Sequence, residues 1–497
     1  MRSLYRNGRI YPGAARNATA LIVDDGRIAW LGDDPASPAD RVVDLDGALV
    51  TPAFVDAHIH ATAAGLSLTG LELSGAESLR DALDRVERHN RSGRGRPVLG
   101  HGWDDTNWPE HRPPTLAELD RAAYGGAVYL SRVDAHSAAV SSALLAATPG
   151  IRSLPGFRPD GWLTGEAHHA ARRVAFGGLS AGQVRDAQRA TLAHAATLGI
   201  GCLHEMAGPE VSSADDLAGL LALAGAEPGP DVIGYWGELF GIDTARELGA
   251  AGAAGDLFCD GSLGSHTAAL GEPYADAPDT SGELHLGVDE IAEHVRRCTE
   301  AGLQAGFHAI GDAAVDAILD AVERLGTAAG SGHRVEHVEM VRSPARLAAA
   351  GLTASMQPAF DATWGGPHGM YAERLGTDRA VGLNRFAQLA AAGVSLAFGS
   401  DAPVTPLNPW AAVRAAAYPH VPDAAISAQA AFAAHTRGGW RAAGRMDGGV
   451  LDVGAPATFA VWPTGELTGT GLPDLAPGVA LPTCVRTVVR GETIYEA

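Results

Sequence analysis

His58 and His60 stand one residue apart in FVDAHIH, at the end of the apolar run ALVTPAFVDAH. A short run rich in small and β-branched residues after a proline suits a strand better than a helix. Alternation along a strand points both imidazoles to one side. Two such rings can share one zinc ion at about 2.0–2.1 Å each. Two further histidines and an acid follow apolar runs in the same way: His308 in GFHAIGD, His337 in RVEHVE and Asp401 in FGSDAPV. An ion held by such a set activates water for hydrolysis, and an acid beside it can carry the proton.

These residues span more than 340 positions, so a fold must gather them. Strand-like runs recur after the first at 200–205, 231–238, 255–261, 303–309, 333–339, 352–358 and 394–401. Ala-rich helical stretches such as DAAVDAILDAVERL and SPARLAAAG lie between them. Eightfold strand–helix alternation predicts an α/β fold, a (β/α)8 TIM barrel, whose functional groups gather at the carboxyl ends of its strands. His58, His60, His308, His337 and Asp401 all fall at such ends.

The chain ends read differently. NGRI at 7–10 and DDGRI at 24–28 carry hairpin signals. At the other end, APATFAVW and CVRTVVRGETIYE read as strands, with a turn at Arg490-Gly491. A small split β-sandwich domain from residues 1–50 and 445–497 is expected, around a barrel of 51–444. The long interval after strand one exceeds any ordinary connection. It reads as an insertion, 61–190, folded over the active site, with strand-like runs at 96–103 and 126–136.

Composition narrows the function classes. Apolar residues make up 46% of the chain and no 18-residue apolar run occurs, so a membrane span is not expected. The amino-terminal MRSLYRNGRIYPG lacks a secretory apolar core, which predicts a cytoplasmic protein. A net charge of −21 argues against nucleic acid as a partner. Four scattered cysteines without a CxxC suggest neither a disulfide framework nor a cysteine-zinc knuckle. The chain contains no lysine, which excludes a lysine Schiff base and a P-loop lysine. A small-molecule substrate is the expected partner, and a homo-oligomer stays open.

The motifs VDAHIH, GHGWDDTNW, SRVDAH, DGSLGSHTAAL, HAIGD, VEH, MQP and GSDAPV together resemble the amidohydrolase superfamily. Specifically, they resemble its YtcJ-like branch, which includes N-substituted formamide deformylases. The resemblance implies a divalent metal, zinc or a similar ion, at His58, His60, His308, His337 and Asp401. In that family the fourth strand often carries a carboxylated lysine bridging two metals. Asp256 of GDLFCDGSLGS stands at that position, so no such carbamate can form. An aspartate is shorter. It is expected to stop short of a bridging site, leaving one tightly bound ion and Asp256 as a weak ligand or a partner of the ligands. Asp256 and Asp260 are expected on one face of the strand.

The expected reaction is hydrolysis of a C–N amide bond of an N-acyl or N-formyl amine. Asp401 is the expected general base, and His337 is expected to stabilise the oxyanion. A deaminase, a lactonase or esterase, and a non-catalytic metal-stabilised binding protein stay as alternatives. Trp103, Asp104, Trp108, Asp134 and His136 are candidates for holding substrate, with core positions or an Asp134–Arg132 pair as the competing reading. Glu166 is a weaker candidate. Glu205 reads as a surface carboxylate, and Arg374 and Arg379 as anion clamps or solvated charges.

Overall fold

The computed structural model describes residues 2–11, 18–33, 38–92, 97–330 and 332–497. Eight parallel strands form one sheet in the order of the chain. They are β1 (Phe54–Ile59), β2 (Ile200–Ala207), β3 (Asp231–Trp236), β4 (Gly252–Ala253), β5 (Gln304–Ala309), β6 (Arg334–His337), β7 (Thr353–Met356) and β8 (Ser395–Phe398). The sheet returns on itself where Asp401 N donates to His58 O at 2.7 Å and Ile59 bridges Ala402. This is the (β/α)8 barrel. Every residue of β1 and β2 is buried, as strands covered on both faces require.

The helices follow from local signals. Asp312–Leu325 buries Val315, Ile318, Leu319 and Val322, the three- and four-residue spacing of an amphipathic helix. Ser343 caps Pro344–Ala349 by accepting from Arg346 N. His435 packs behind β1, with Nδ1 bonded to Val55 O at 2.9 Å.

Strand four departs from the expectation. Pairing is confined to Gly252–Ala253, and Gly255, at φ +92°, turns the chain out of the strand. Residues 257–259 return to β5 through His308 N to Leu257 O and Cys259 N to His308 O, each 3.0 Å. Asp256 and Asp260 therefore do not share a strand face.

Residues from the two chain ends form two sheets. One joins Arg27–Gly32, Ala20–Asp24, Ser3–Arg6 and Arg41–Asp44; the other joins Arg9–Ile10, Leu49–Pro52, Phe459–Trp462, Arg486–Val489 and Glu492–Glu496. The turns at Asp25-Gly26 and Arg490-Gly491 are hairpins with positive φ at both residues. Asn7-Gly8 is not a hairpin: Asn7, at φ +58°, passes the chain from one sheet to the other. After β1, a five-stranded sheet spans residues 71–164, and helix Gly165–Gly177 follows it. The run expected from residue 96 begins at Val98; Arg96 itself lies outside the described residues. Among the described residues no helix is long and apolar enough to cross a membrane.

Burial makes two imidazoles acid-sensitive. Burial pushes His435 and His169 down to about 4, against about 6.5 in an unfolded chain. Between those values the unfolded chain binds protons that these two folded imidazoles refuse, so the contribution of His435 and His169 to stability falls as pH drops from 6.5 towards 4. The upper bound is about 3 kcal/mol per imidazole. Thermal melts of wild type and His435→Asn across this range isolate the His435 share: the variant should lose less stability on acidification than wild type, and an identical pH dependence of the two would remove His435 from it.

Candidate metal centre and active site

His58 is the last inward-facing residue of β1, and His60 follows as the N-cap of helix Ala61–Thr69. His308 lies near the end of β5 and His337 ends β6. Asp401 follows β8. All five converge with Asp256 at the mouth of the barrel, and all six are buried. Asp401 Oδ1 lies 3.5 Å from His58 Nε2 and 3.1 Å from His60 Nε2. Asp256 Oδ1 lies 3.5 Å from His58 Nε2, and its Oδ2 lies 3.2 Å from His60 Nε2. Asp256 Oδ1 also lies 3.6 Å from His308 Nδ1 and 3.8 Å from His337 Nε2.

Asp256 thus does not stop short of the histidines, as its length alone would suggest. Its carboxylate sits among all four imidazoles, because the chain leaves β4 early and bends Asp256 inward. Asp260, four residues on, faces away. Its oxygens accept from Ala269 N, Ile310 N and Gly311 N at 2.7–3.0 Å, pinning the loop after β4 to the turn after β5. Burial still pushes Asp260 up to about 7, against those three donors.

Each imidazole is held from behind. His58 Nδ1 meets Glu336 Oε2 at 2.9 Å, His60 Nδ1 meets Met206 O at 3.0 Å, His337 Nδ1 meets Gln357 Oε1 at 2.9 Å, and His308 Nε2 meets Gly261 O at 3.2 Å. Every one of these partners is an acceptor, so the bonded nitrogen carries the hydrogen. The other nitrogen of each ring then offers a lone pair to the centre, the arrangement metal-binding histidines use. Glu336 is fixed in turn by Arg334, whose Nε lies 2.5 Å away. Burial would raise Glu336, but the Arg334 guanidinium and His58 bring it down to about 2.

The donor set fits a divalent cation. Asp256 Oδ1, His58 Nε2, His308 Nδ1 and His337 Nε2 are buried without a hydrogen-bond partner among the described residues. Buried unpaired polar atoms cost about 1–3 kcal/mol each, and one cation satisfies several at once. Metal–ligand bonds of about 2.0–2.1 Å at tetrahedral angles give edges of about 3.3–3.4 Å. In each of two sets of donors, His58–His60–Asp401 and His58–Asp256–His337, the ligand atoms lie within 4.8 Å of one another, and the contacts of His58 and His60 with Asp401 Oδ1, 3.5 and 3.1 Å, bracket that edge. Burial alone would push His60 down, yet Asp256 and Asp401 hold it up at about 9, a measure of how strongly this pocket demands positive charge.

Two of these residues have unusual backbones. Asp401 (φ +55°) and His337 (φ +70°) occupy the left-handed region without being glycine. Such strain persists where the surroundings enforce it. At Asp401 the enforcing contact is the bond from its N to His58 O. Asp401 does not cap a helix: the next one, Pro409–Ala417, is capped by Asn408. Asp56 supports this corner from below, accepting from His58 N at 3.2 Å and Ser400 N at 2.9 Å.

A cleft opens in front of Asp401 and Asp256, roofed by residues of the insertion. His136 lines it, with its ring 5.0 Å from that of His308. Asp134 also borders it, but its carboxylate is taken by Arg132 at 3.2 Å and Ser265 Oγ at 2.7 Å. Asp104 instead pairs with Arg132 at 2.6 Å and caps the turn at Thr106. Trp103 and Trp108 are core residues of the insertion. Their rings stack at 5.6 Å, and their Nε1 atoms donate to Leu130 O and Ala76 O. Glu166 is exposed on the rim of a neighbouring cavity. Glu205 is buried, not at the surface: its Oε2 accepts from Ala61 N at 2.6 Å, starting the helix that follows His60. Burial raises it to about 7, opposed by His60. Arg374 and Arg379 tie loops together through Asp276 and the carbonyls of Glu272 and Pro273.

Sequence reasoning missed Glu336, Gln357 and Asp56. One signal was available for Glu336. Arg334 and Glu336 share a face by period two in a strand buried on both sides, so they had to pair inside the barrel.

Imidazoles from β1, β5 and β6 gathered with a carboxylate after β8, at the carboxyl end of a (β/α)8 barrel, define a metal-dependent hydrolase. The chain belongs to the Amidohydrolase family, whose model matches residues 41–495. It is 27% identical to the putative amidohydrolase YtcJ of Bacillus subtilis over 84% of this chain and 83% of that one. It is 26% identical to the N-substituted formamide deformylase of Arthrobacter pascens over 92% of each. A solved structure of an uncharacterized metal-dependent hydrolase from Pyrococcus horikoshii is 27% identical and superposes with a TM-score of 0.77, covering 95% of this chain and 99% of the other.

Proposed function

We propose that the protein hydrolyses the C–N bond of a small-molecule amide, an N-acyl or N-formyl amine. In this reading His58, His60, Asp256 and Asp401 would hold one zinc ion tightly. His308 and His337, facing Asp256 Oδ1 across wider gaps of 3.6 and 3.8 Å, offer a second, weaker position. A bound ion of this kind lowers the pKa of its water towards about 7 and polarises the amide carbonyl.

The observation that carries the reading is the double exposure of Asp401. Its Oδ1 touches the two β1 imidazoles, while the residue also lines the cleft. From there it can take the proton of the attacking water and pass it to the departing amine nitrogen. Water is added across the C–N bond and leaves a carboxylic acid and an amine. His337 is less suited to the oxyanion than the sequence suggested. With its Nδ1–H given to Gln357, its Nε2 is a lone-pair donor to a cation. His136 is better placed: it lines the cleft, and burial lowers it far enough to stay neutral, with an N–H to give.

A panel of N-formyl and N-acetyl amines, lactones, aryl esters and nucleobases tests the bond type. Turnover of the amides should exceed that of every other class. Preferred turnover of a lactone or a nucleobase would move the protein to one of the alternative chemistries. No hydrolysis anywhere, with metal bound, would favour a binding protein.

A further inference from the structure

Helix Gly165–Gly177 of the insertion carries an arginine pair at the cleft, Arg172 and Arg173. Arg173 is spoken for, 2.8 Å from Glu210. Arg172 has no hydrogen bond or ion pair among the described residues. Its guanidinium rests over the Phe176 ring at 5.4 Å. Arg172 lines the cleft in front of Asp401 and also the adjoining cavity beneath the helix. Among the described residues it is the only arginine on the cleft wall, in a chain without lysine.

The neighbouring groups do not take up its charge. The imidazoles His136, His168 and His169 are pushed down by burial and stay neutral. Tyr129 bonds His168. Asp134 is committed to Arg132 and Ser265. In the second cavity the Asp216 carboxylate, which feels the Arg172 charge without bonding it, accepts from Thr62 Oγ1 and Gln188 Nε2, each at 2.7 Å. Arg172 is a half-buried cation with an aromatic rest and no ion-pair partner among the described residues. A fixed guanidinium in that condition recognises a carboxylate.

Its place relative to the reaction follows from a chain of contacts. The Phe258 ring lies 4.9 Å from His308, and the His169 ring lies 5.5 Å from Phe258. Arg172 is three residues, about 5 Å, further along the helix. Leu66, Leu99 and Phe176 supply an apolar wall to the cleft.

Resting on the proposed amide hydrolysis, we infer that the substrate carries a carboxylate several bonds from the scissile amide. Arg172 binds it, with an apolar spacer between the two. Arg172 is a specificity residue and takes no part in the chemistry.

The test uses N-formyl ω-amino acids of increasing chain length, each paired with the N-formyl alkylamine of equal length. The zinc-loaded enzyme and Arg172→Gln are compared. The acids should be preferred from a minimum length upward. In the variant their KM should rise about 10- to 100-fold, with kcat nearly unchanged and the neutral alkylamines unaffected. Equal effects on acids and alkylamines, or none on either, would overturn the inference. Calorimetric binding of the same acids to zinc-loaded Asp401→Asn protein, with and without Arg172→Gln, separates this inference from the reaction itself. Arg172-dependent binding without hydrolysis of any amide by the wild type would retire the amide reading and keep the carboxylate site. Hydrolysis with Arg172-independent binding would do the reverse.

Discussion

Asp401→Asn should fold, keep most of its metal and lose amide hydrolysis by about three to five orders of magnitude. The substitution keeps the side chain's shape and leaves one oxygen to face His58 Nε2 and His60 Nε2, now 3.5 and 3.1 Å away. It removes the only function an amide cannot imitate, which is accepting and returning a proton. The backbone at 401 tolerates the change, since asparagine adopts positive φ as readily as aspartate. Steady-state kinetics beside elemental analysis reads both halves. Turnover within tenfold of wild type would remove Asp401 from proton transfer. Coincident loss of metal would show that it acts chiefly as a ligand.

Asp256→Ala should have the larger effect on the metal itself. The Asp256 carboxylate is the one group within 3.2–3.8 Å of all four imidazoles. Removing it leaves lone pairs facing each other across a buried gap with a single carboxylate to offset the ion's charge. Occupancy after dialysis should fall at least tenfold, and activity with it. Asp256→Asn should be less damaging than Asp256→Ala, because it keeps one oxygen facing the imidazoles. Added bicarbonate should change nothing in the wild type, since no lysine is present to be carboxylated. Wild-type occupancy in Asp256→Ala would return this residue to a supporting role.

The barrel was legible because its strands are apolar runs at regular intervals, and the convergence of His58, His60, His308, His337 and Asp401 because each closes such a run. Strand four was not. GDLFCDG has strand-like composition, but Gly255 at φ +92° ends the pairing before it. Side-chain direction at Asp256 and Asp260 then follows from loop bonds that period-two counting does not see. Glu205 misled for a related reason: a lone carboxylate after a strand reads as solvent-facing until the unpaired Ala61 N beside it is known. In the insertion, Trp103 and Asp104 looked functional because aromatic and acidic residues recognise ligands. They are equally what a small core and a buried Arg132 need. The partners behind the histidines are separated from them by up to 278 residues, as with Glu336 and His58, and two of the four are backbone carbonyls. Sequence identity says little about a carbonyl.

The most direct test is a zinc titration of metal-depleted wild-type enzyme, read as turnover of an N-formyl amine. Activity should rise linearly and break at one equivalent of zinc per chain, and His58→Ala should stay inactive throughout. Full turnover without metal, or a break only at two equivalents, would contradict a single tightly held ion as the centre of the reaction.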